Sequence, residues 1–407
     1  MRYIITSPDP SLSLPIGLSS DSSFVSLDLI GGLSGEMEEA YADELSSKGY
    51  QVTREEEYFT PVPRSPVRTS SAIDIYPTRE LDPRTPGSMK MMQKTGVERM
   101  LMSGLSGKGV HIGFVDSGVD VTHLDIMGRN LHFKDFTPDE SPRSVDPAGH
   151  GTGCVGMACG NGFGVAKFHG VAPGANYSMA RVMDGEGRGS ETNIILGLQW
   201  LDEKGCDIIN VSIGSLNRRY SPLSAACDEM ARRGRIVCIA AGNDGPKTIT
   251  SPANAYGGIT VAACDEEGKH RSFSSIGPAM GIDRENLKKP DVMAWGENCP
   301  LCRASGTTMG TVIHESYVSA AGTSFAAPFV AGLAALYKEA RGDLSGFITE
   351  LEENCIDDGD IDHELEGYGV ASIGFLRGAD DPPFNPPVNP LGGCLLAGLT
   401  PLFRIFR

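Results

Sequence analysis

From residue 110 to residue 295 the chain alternates short apolar runs with segments of helical length, and that alternation restricts the fold more than any single motif. Val110-His111-Ile112-Gly113-Phe114-Val115 is apolar almost without interruption, as expected of a central parallel strand covered on both faces. Further strands are read at residues 131–136, 176–183, 207–213, 236–241, 258–263 and 291–295, with helices over 190–204 and 222–233 between them. Strand, helix, strand in that order requires right-handed crossovers and predicts an α/β fold, a three-layer, doubly wound, mostly parallel sheet. Such sheets carry their functional groups outside the carboxyl ends of the strands.

Four pieces of sequence stand where that rule directs attention. Asp116 closes the first strand, ahead of Ser117-Gly118. His150 lies in Gly149-His150-Gly151-Thr152-Gly153, where glycines permit close backbone approach and small residues open a buried helix. A lone histidine at a helix start is more often structural. Asn243 sits in the glycine turn after residues 236–241. Ser324, within Gly322-Thr323-Ser324-Phe325-Ala326-Ala327-Pro328, opens an Ala-rich helix. There its own N–H has no helical partner and faces the positive end of the dipole, which suits an oxyanion. Taken alone, this serine reads as a cap on a buried helix.

Asp, His, Ser is the chain order of subtilisin. With Ala240-Ala241-Gly242-Asn243, Gly170-Val171-Ala172-Pro173, Ile209-Asn210-Val211-Ser212, Phe273-Ser274-Ser275-Ile276-Gly277 and Lys289-Pro290-Asp291-Val292, residues 95–375 resemble the subtilases, the subtilisin-like serine proteases. The resemblance implies Ser324 as nucleophile, His150 as general base and acid, Asp116 as its orienting partner and Asn243 as an oxyanion donor. It also implies that Gly187, Gly189, Ser212, Ile213 and Gly214 pair with an extended polypeptide substrate. Asp244 and Thr250 would then border the first pocket, Asp244 favouring a basic side chain. Cys154 falls where one branch, resembling proteinase K, keeps a thiol beneath the histidine, which predicts inhibition by thiol-binding heavy metals. No cofactor is required; calcium sites are common in the family, and Asp125 with residues 161–165 corresponds to one place for structural Ca2+.

The same resemblance divides the chain. Residues 1–65 form a small α+β unit that resembles a short inhibitory prosegment, an intramolecular inhibitor of the enzyme. Its strands are read at 2–6, 24–29 and 49–52 and its acidic helix at 34–47. Residues 66–88 are a linker with a processing site expected between about 59 and 86, near Arg64, Arg68, Arg79 or Arg84. The catalytic domain spans 89–377, opening on a helix at 89–101, and a Pro-rich linker and short apolar tail follow at 378–407. Two other readings remain open: a subtilase dedicated to one precursor, and a non-hydrolytic peptide binder.

Bulk properties narrow the partners. A formal charge of -17 argues against nucleic acid or an anionic membrane. No run reaches the roughly 20 apolar residues that span a bilayer. Ten cysteines, several within apolar segments, and no basic, apolar leader at residues 1–9 predict a cytoplasmic monomer with free thiols, with secretion as the alternative. Cys299-Pro300-Leu301-Cys302 stands without a second pair and reads as a loop with two thiols or a local disulfide rather than a metal or redox site.

Overall fold

The computed structural model describes residues 1–7, 14–15, 18, 23–60, 90–165, 168–282, 286–356 and 367–376. The linker expected at 66–88, all but residues 59–60 of the processing region expected at about 59–86, and the tail at 378–407 lie outside the described residues.

Seven parallel strands make the central sheet, in the order Val292–Trp295, Ile259–Cys264, Ile236–Ala240, Ile208–Val211, His111–Asp116, Asn176–Arg181, Asn130–Asp135. The chain enters at His111–Asp116, passes to the edge strand Asn130–Asp135, fills the gap with Asn176–Arg181, then crosses to build the other side outward. The order therefore reverses around this strand, and the crevice at the switch point opens at its carboxyl end, where Asp116 sits. The inner strands are buried along their length, which is why they read as continuous apolar runs.

Helices cover both faces. Thr323–Arg341, whose first fifteen residues are all buried, packs on strands Ile236–Ala240 and Ile259–Cys264 beside the helix His150–Cys159. Gly332 lets this helix pass close over Val171: a Cβ there would come within 2.5 Å of that side chain. Glu191–Glu203 and Pro222–Arg232 pair with each other on the opposite face. A Ser221 capping box with Pro222 in the first turn starts the second of these.

The N-terminal unit is a four-stranded antiparallel sheet in the order Val25–Leu27, Gly32–Glu36, Arg2–Thr6, Gln51–Arg54. Ile5, Leu33 and Leu45 of its helix-covered face form a separate small core, while Ile4, Leu27 and Leu29 join the core of the large domain. Polar contacts fix the docking. Glu55 accepts from Thr192 N–H at 2.9 Å, Gln199 accepts from Leu29 N–H at 3.3 Å, and the Ser34 and Thr192 hydroxyls lie 2.6 Å apart.

Three sequence expectations are corrected here. The acidic helix is Glu39–Ser47, and residues 34–36 are strand, because they pair with Arg2–Ile4; Gly35 lies under the Phe24 ring, 2.4 Å from where its Cβ would stand. The helix expected over 89–101 is two short ones, Lys90–Lys94 and Val97–Met102, split at Gly96 with φ 82°. Cys299–Cys302 is a strand paired with Tyr317–Ala320, not a loop. Residues three apart in a strand face opposite sides, so its two thiols cannot meet. The cysteines of the described residues are all free.

Candidate active site

Asp116, His150, Asn243 and Ser324 converge at the carboxyl edge of the sheet and are all buried. His150 is the first residue of its helix, preceded by Gly149 at φ 82°. Its Nδ1 lies 2.8 Å from Asp116 Oδ1, which also accepts from Ser117 N–H at 2.7 Å. Gly151 makes that approach feasible: a Cβ there would strike Gly118 O at 2.1 Å and crowd the Asp116 side chain. Burial pushes the His150 imidazole down, but the charge and hydrogen bond of Asp116, with Asp146 behind, outweigh it and leave it raised above 6.5. With Nδ1–H donated to Asp116, Nε2 is the free lone pair.

Pro328 explains the surroundings of Ser324. Four residues on in the helix, it has no N–H to give the Ser324 carbonyl. That carbonyl instead accepts from Ser212 Oγ at 2.8 Å and Cys154 Sγ at 3.3 Å. Ser212 is held in turn by the Asn210 side-chain amide at 2.9 Å. The Cys154 sulfur is also 3.8 Å from His150 Nδ1, and burial followed by the Asp116 charge holds the thiol pKa well above its usual range. Ser324 thus stands tied by its backbone to the His150 helix, and the Phe325 and His150 rings lie 5.5 Å apart.

Asn243 is oriented by Thr323, whose N–H and hydroxyl both donate to Asn243 Oδ1, at 2.9 and 3.0 Å. Its Nδ2 is thereby turned toward the helix start, 3.3 Å from where a Gly322 Cβ would stand. Among the described residues, Ser324 Oγ, His150 Nε2, Asp116 Oδ2 and Asn243 Nδ2 are buried without a hydrogen-bond partner. Buried polar atoms are ordinarily satisfied, so four unpaired ones in one place mark groups that await a ligand.

The residues expected to bind substrate fall into two facing edges, and a strand of this chain lies between them. Glu57–Phe59 pairs antiparallel with Arg188–Ser190, with Tyr58 opposite Gly189. Phe59 N–H donates to Gly214 O at 2.9 Å, and Gly214 N–H returns to Phe59 O at 3.0 Å. Thr60 N–H donates to Gly187 O at 2.9 Å. Ile213 is buried, Asp244 is exposed, and Thr250 Oγ1 is 3.8 Å from where a Gly214 Cβ would stand.

Sequence reasoning passed over Asp146. Buried, it accepts from Ser117 Oγ, Gly149 N–H, and both N–H and hydroxyl of Thr152 at 2.6–2.8 Å, fixing the start of the His150 helix. An aspartate four residues ahead of a helix start was the available signal. At the place proposed for calcium, Asp125 Oδ1 accepts from Gly164 N–H and Oδ2 from Tyr317 O–H, at 2.9 and 2.7 Å. His123 and Cys302 place their ring nitrogen and sulfur within 4.8 Å of an Asp125 carboxylate oxygen and of each other.

A buried acid–imidazole pair beside an alcohol at a helix N-terminus, all on a doubly wound sheet, is the equipment of a serine hydrolase. Residues 107–352 match the model of the "Subtilase family". The chain is 32% identical over 297 residues to serine protease AprX of Bacillus subtilis (strain 168), covering 66% of each. It is 34% identical over 238 residues to subtilisin BL and to subtilisin Savinase of Lederbergia lenta, 58% of this chain and 78% of each relative. M-protease of Shouchella clausii (strain KSM-K16) matches at the same level over 56% of its length, so the chain spans about two thirds of AprX and little over half of M-protease. The chain belongs to the subtilase family, the subtilisin-like serine proteases.

Proposed function

We propose that the chain is a self-processing serine endopeptidase acting on extended polypeptides, held inactive by its own N-terminal unit. One observation carries the reading: Glu57–Phe59 and Thr60 lie as an added strand between Gly187–Ser190 and Gly214, beside four unpaired catalytic atoms. Backbone pairing of this kind binds a peptide with little regard to sequence.

In the reaction, His150 Nε2 takes the proton of Ser324 as Oγ attacks the scissile carbonyl. Asn243 Nδ2 and the Ser324 N–H hold the resulting oxyanion, and Asp116 steadies the imidazolium. The C–N bond breaks as the imidazolium hands its proton to the leaving amine. Water, deprotonated by the same imidazole, then releases the acyl group from Ser324. No cofactor is needed for this cycle.

Intact-mass analysis tests the whole reading. Wild type should lose the N-terminal unit by a cut beyond residue 60, and Ser324→Ala should stay full length. Identical masses for the two proteins over long incubation would overturn self-processing.

A further inference from the structure

Tyr58 is wholly buried, and the pocket that takes it is polar. Its phenol lies 3.0 Å from each of Glu191 Oε1, Ser221 Oγ and Ser251 Oγ. These partners are themselves buried and belong to the large domain, although the Glu191 N–H also donates to Glu56 O of the N-terminal unit at 3.2 Å. Asn254 Nδ2 donates to the carbonyls of Arg218 and Met280, which fixes its Oδ1 as an acceptor for Ser224 Oγ at 2.7 Å. Ser224 having spent its proton, Ser251, 2.9 Å away, donates to it. That leaves Ser221 as the hydroxyl able to donate to the phenol oxygen, and the phenol proton for Glu191. Leu223 N–H also holds Glu191 Oε1, at 3.0 Å.

We infer that Glu191, Ser221 and Ser251 form a tyrosine-selective subsite that reads the residue immediately ahead of the one bridged to Gly214 in a bound polypeptide. The inference rests on the endopeptidase reading, in which Tyr58 occupies a substrate position. An apolar pocket would take Phe as readily as Tyr. Here Phe would take the phenol O–H from the buried Glu191 carboxyl. Burial holds the Glu191 carboxyl up at about 7 despite the Leu223 and Tyr58 hydrogen bonds, so this group already lacks solvation. Ser221 and Ser251 lie 2.6 Å apart and can still bond each other, and Leu223 N–H stays on Glu191. The penalty for losing one buried partner is therefore about 10–100-fold in kcat/KM.

The test uses full-length protein incubated until its N-terminal unit is lost, with paired fluorogenic peptides that differ only in Tyr or Phe, scanned across the positions before the cut. At one fixed distance from the cut, wild type should prefer Tyr by about 10–100-fold. In Glu191→Leu the ratio should fall toward one. Cleavage by wild type with equal rates for Tyr and Phe at every position would overturn the inference while leaving the endopeptidase reading intact. A protein that cleaves none of the peptides would overturn both. The wild-type comparison decides the matter even where the variant fails to fold.

Discussion

Replacing Asn243 by Ala is the perturbation whose size follows most directly from the geometry. Its Oδ1 is engaged by both donors of Thr323, so the amide cannot rotate and Nδ2 stays aimed at the site. On the proposed mechanism the variant removes one of two oxyanion donors. Loss of one such donor costs about 2.7–4 kcal/mol in subtilisin itself, a family member, so the figure is carried over from that relative. It corresponds to about a 10²–10³-fold fall in kcat. KM should scarcely change, because the donor strengthens its bond only when the carbonyl becomes an oxyanion. The change also strips the Thr323 N–H and hydroxyl of their acceptor, costing about 1–3 kcal/mol of stability. Thermal unfolding therefore has to accompany the kinetics. Steady-state rates on a chromogenic peptide, normalised by active-site titration, give the answer. Thr323→Val, which deletes one of the two bonds to Oδ1 and keeps Nδ2, should show a smaller fall. A folded Asn243→Ala protein with less than about a tenfold loss in kcat, or a loss confined to KM, would refute the assigned role.

Other outcomes follow from neighbouring groups. The Asp116 carboxylate raises the His150 pKa, so kcat/KM should rise with pH and its acid limb should have a midpoint above 6.5. Asp116→Asn should lower kcat by about 10⁴ by losing the required tautomer; a pH profile and kcat for both proteins check this. An organomercurial should inactivate wild type through Cys154, whose sulfur is 3.8 Å from His150, and Cys154→Ala should resist it. Because that thiol is buried with a raised pKa, inactivation should be slow at neutral pH and faster as pH rises. Equal inactivation of both proteins would place the reactive thiol elsewhere.

The sheet and the four convergent side chains were readable because each depends on local sequence. Central strands announce themselves by unbroken apolar runs such as Ile236–Ala240, and the site motifs by glycines that backbone approach demands, as Gly151 shows against Asp116. Features set by distant partners were not readable. Residues 34–36 suit a helix until they pair with Arg2–Ile4. Glu191 reads as an ordinary acidic first-turn residue, favourable at a helix N-terminus. Only folding brings Tyr58 from 133 residues away onto its carboxyl. Likewise, nothing near Pro328 says that its missing N–H will be replaced by Ser212 and Cys154.

Labelling with a fluorophosphonate, followed by peptide mapping, addresses the nucleophile itself. Protein that has shed its N-terminal unit should take up one label per chain, on Ser324, and His150→Ala should take up almost none. A processed chain that stays unlabelled, or carries the label on any other residue, would contradict the account.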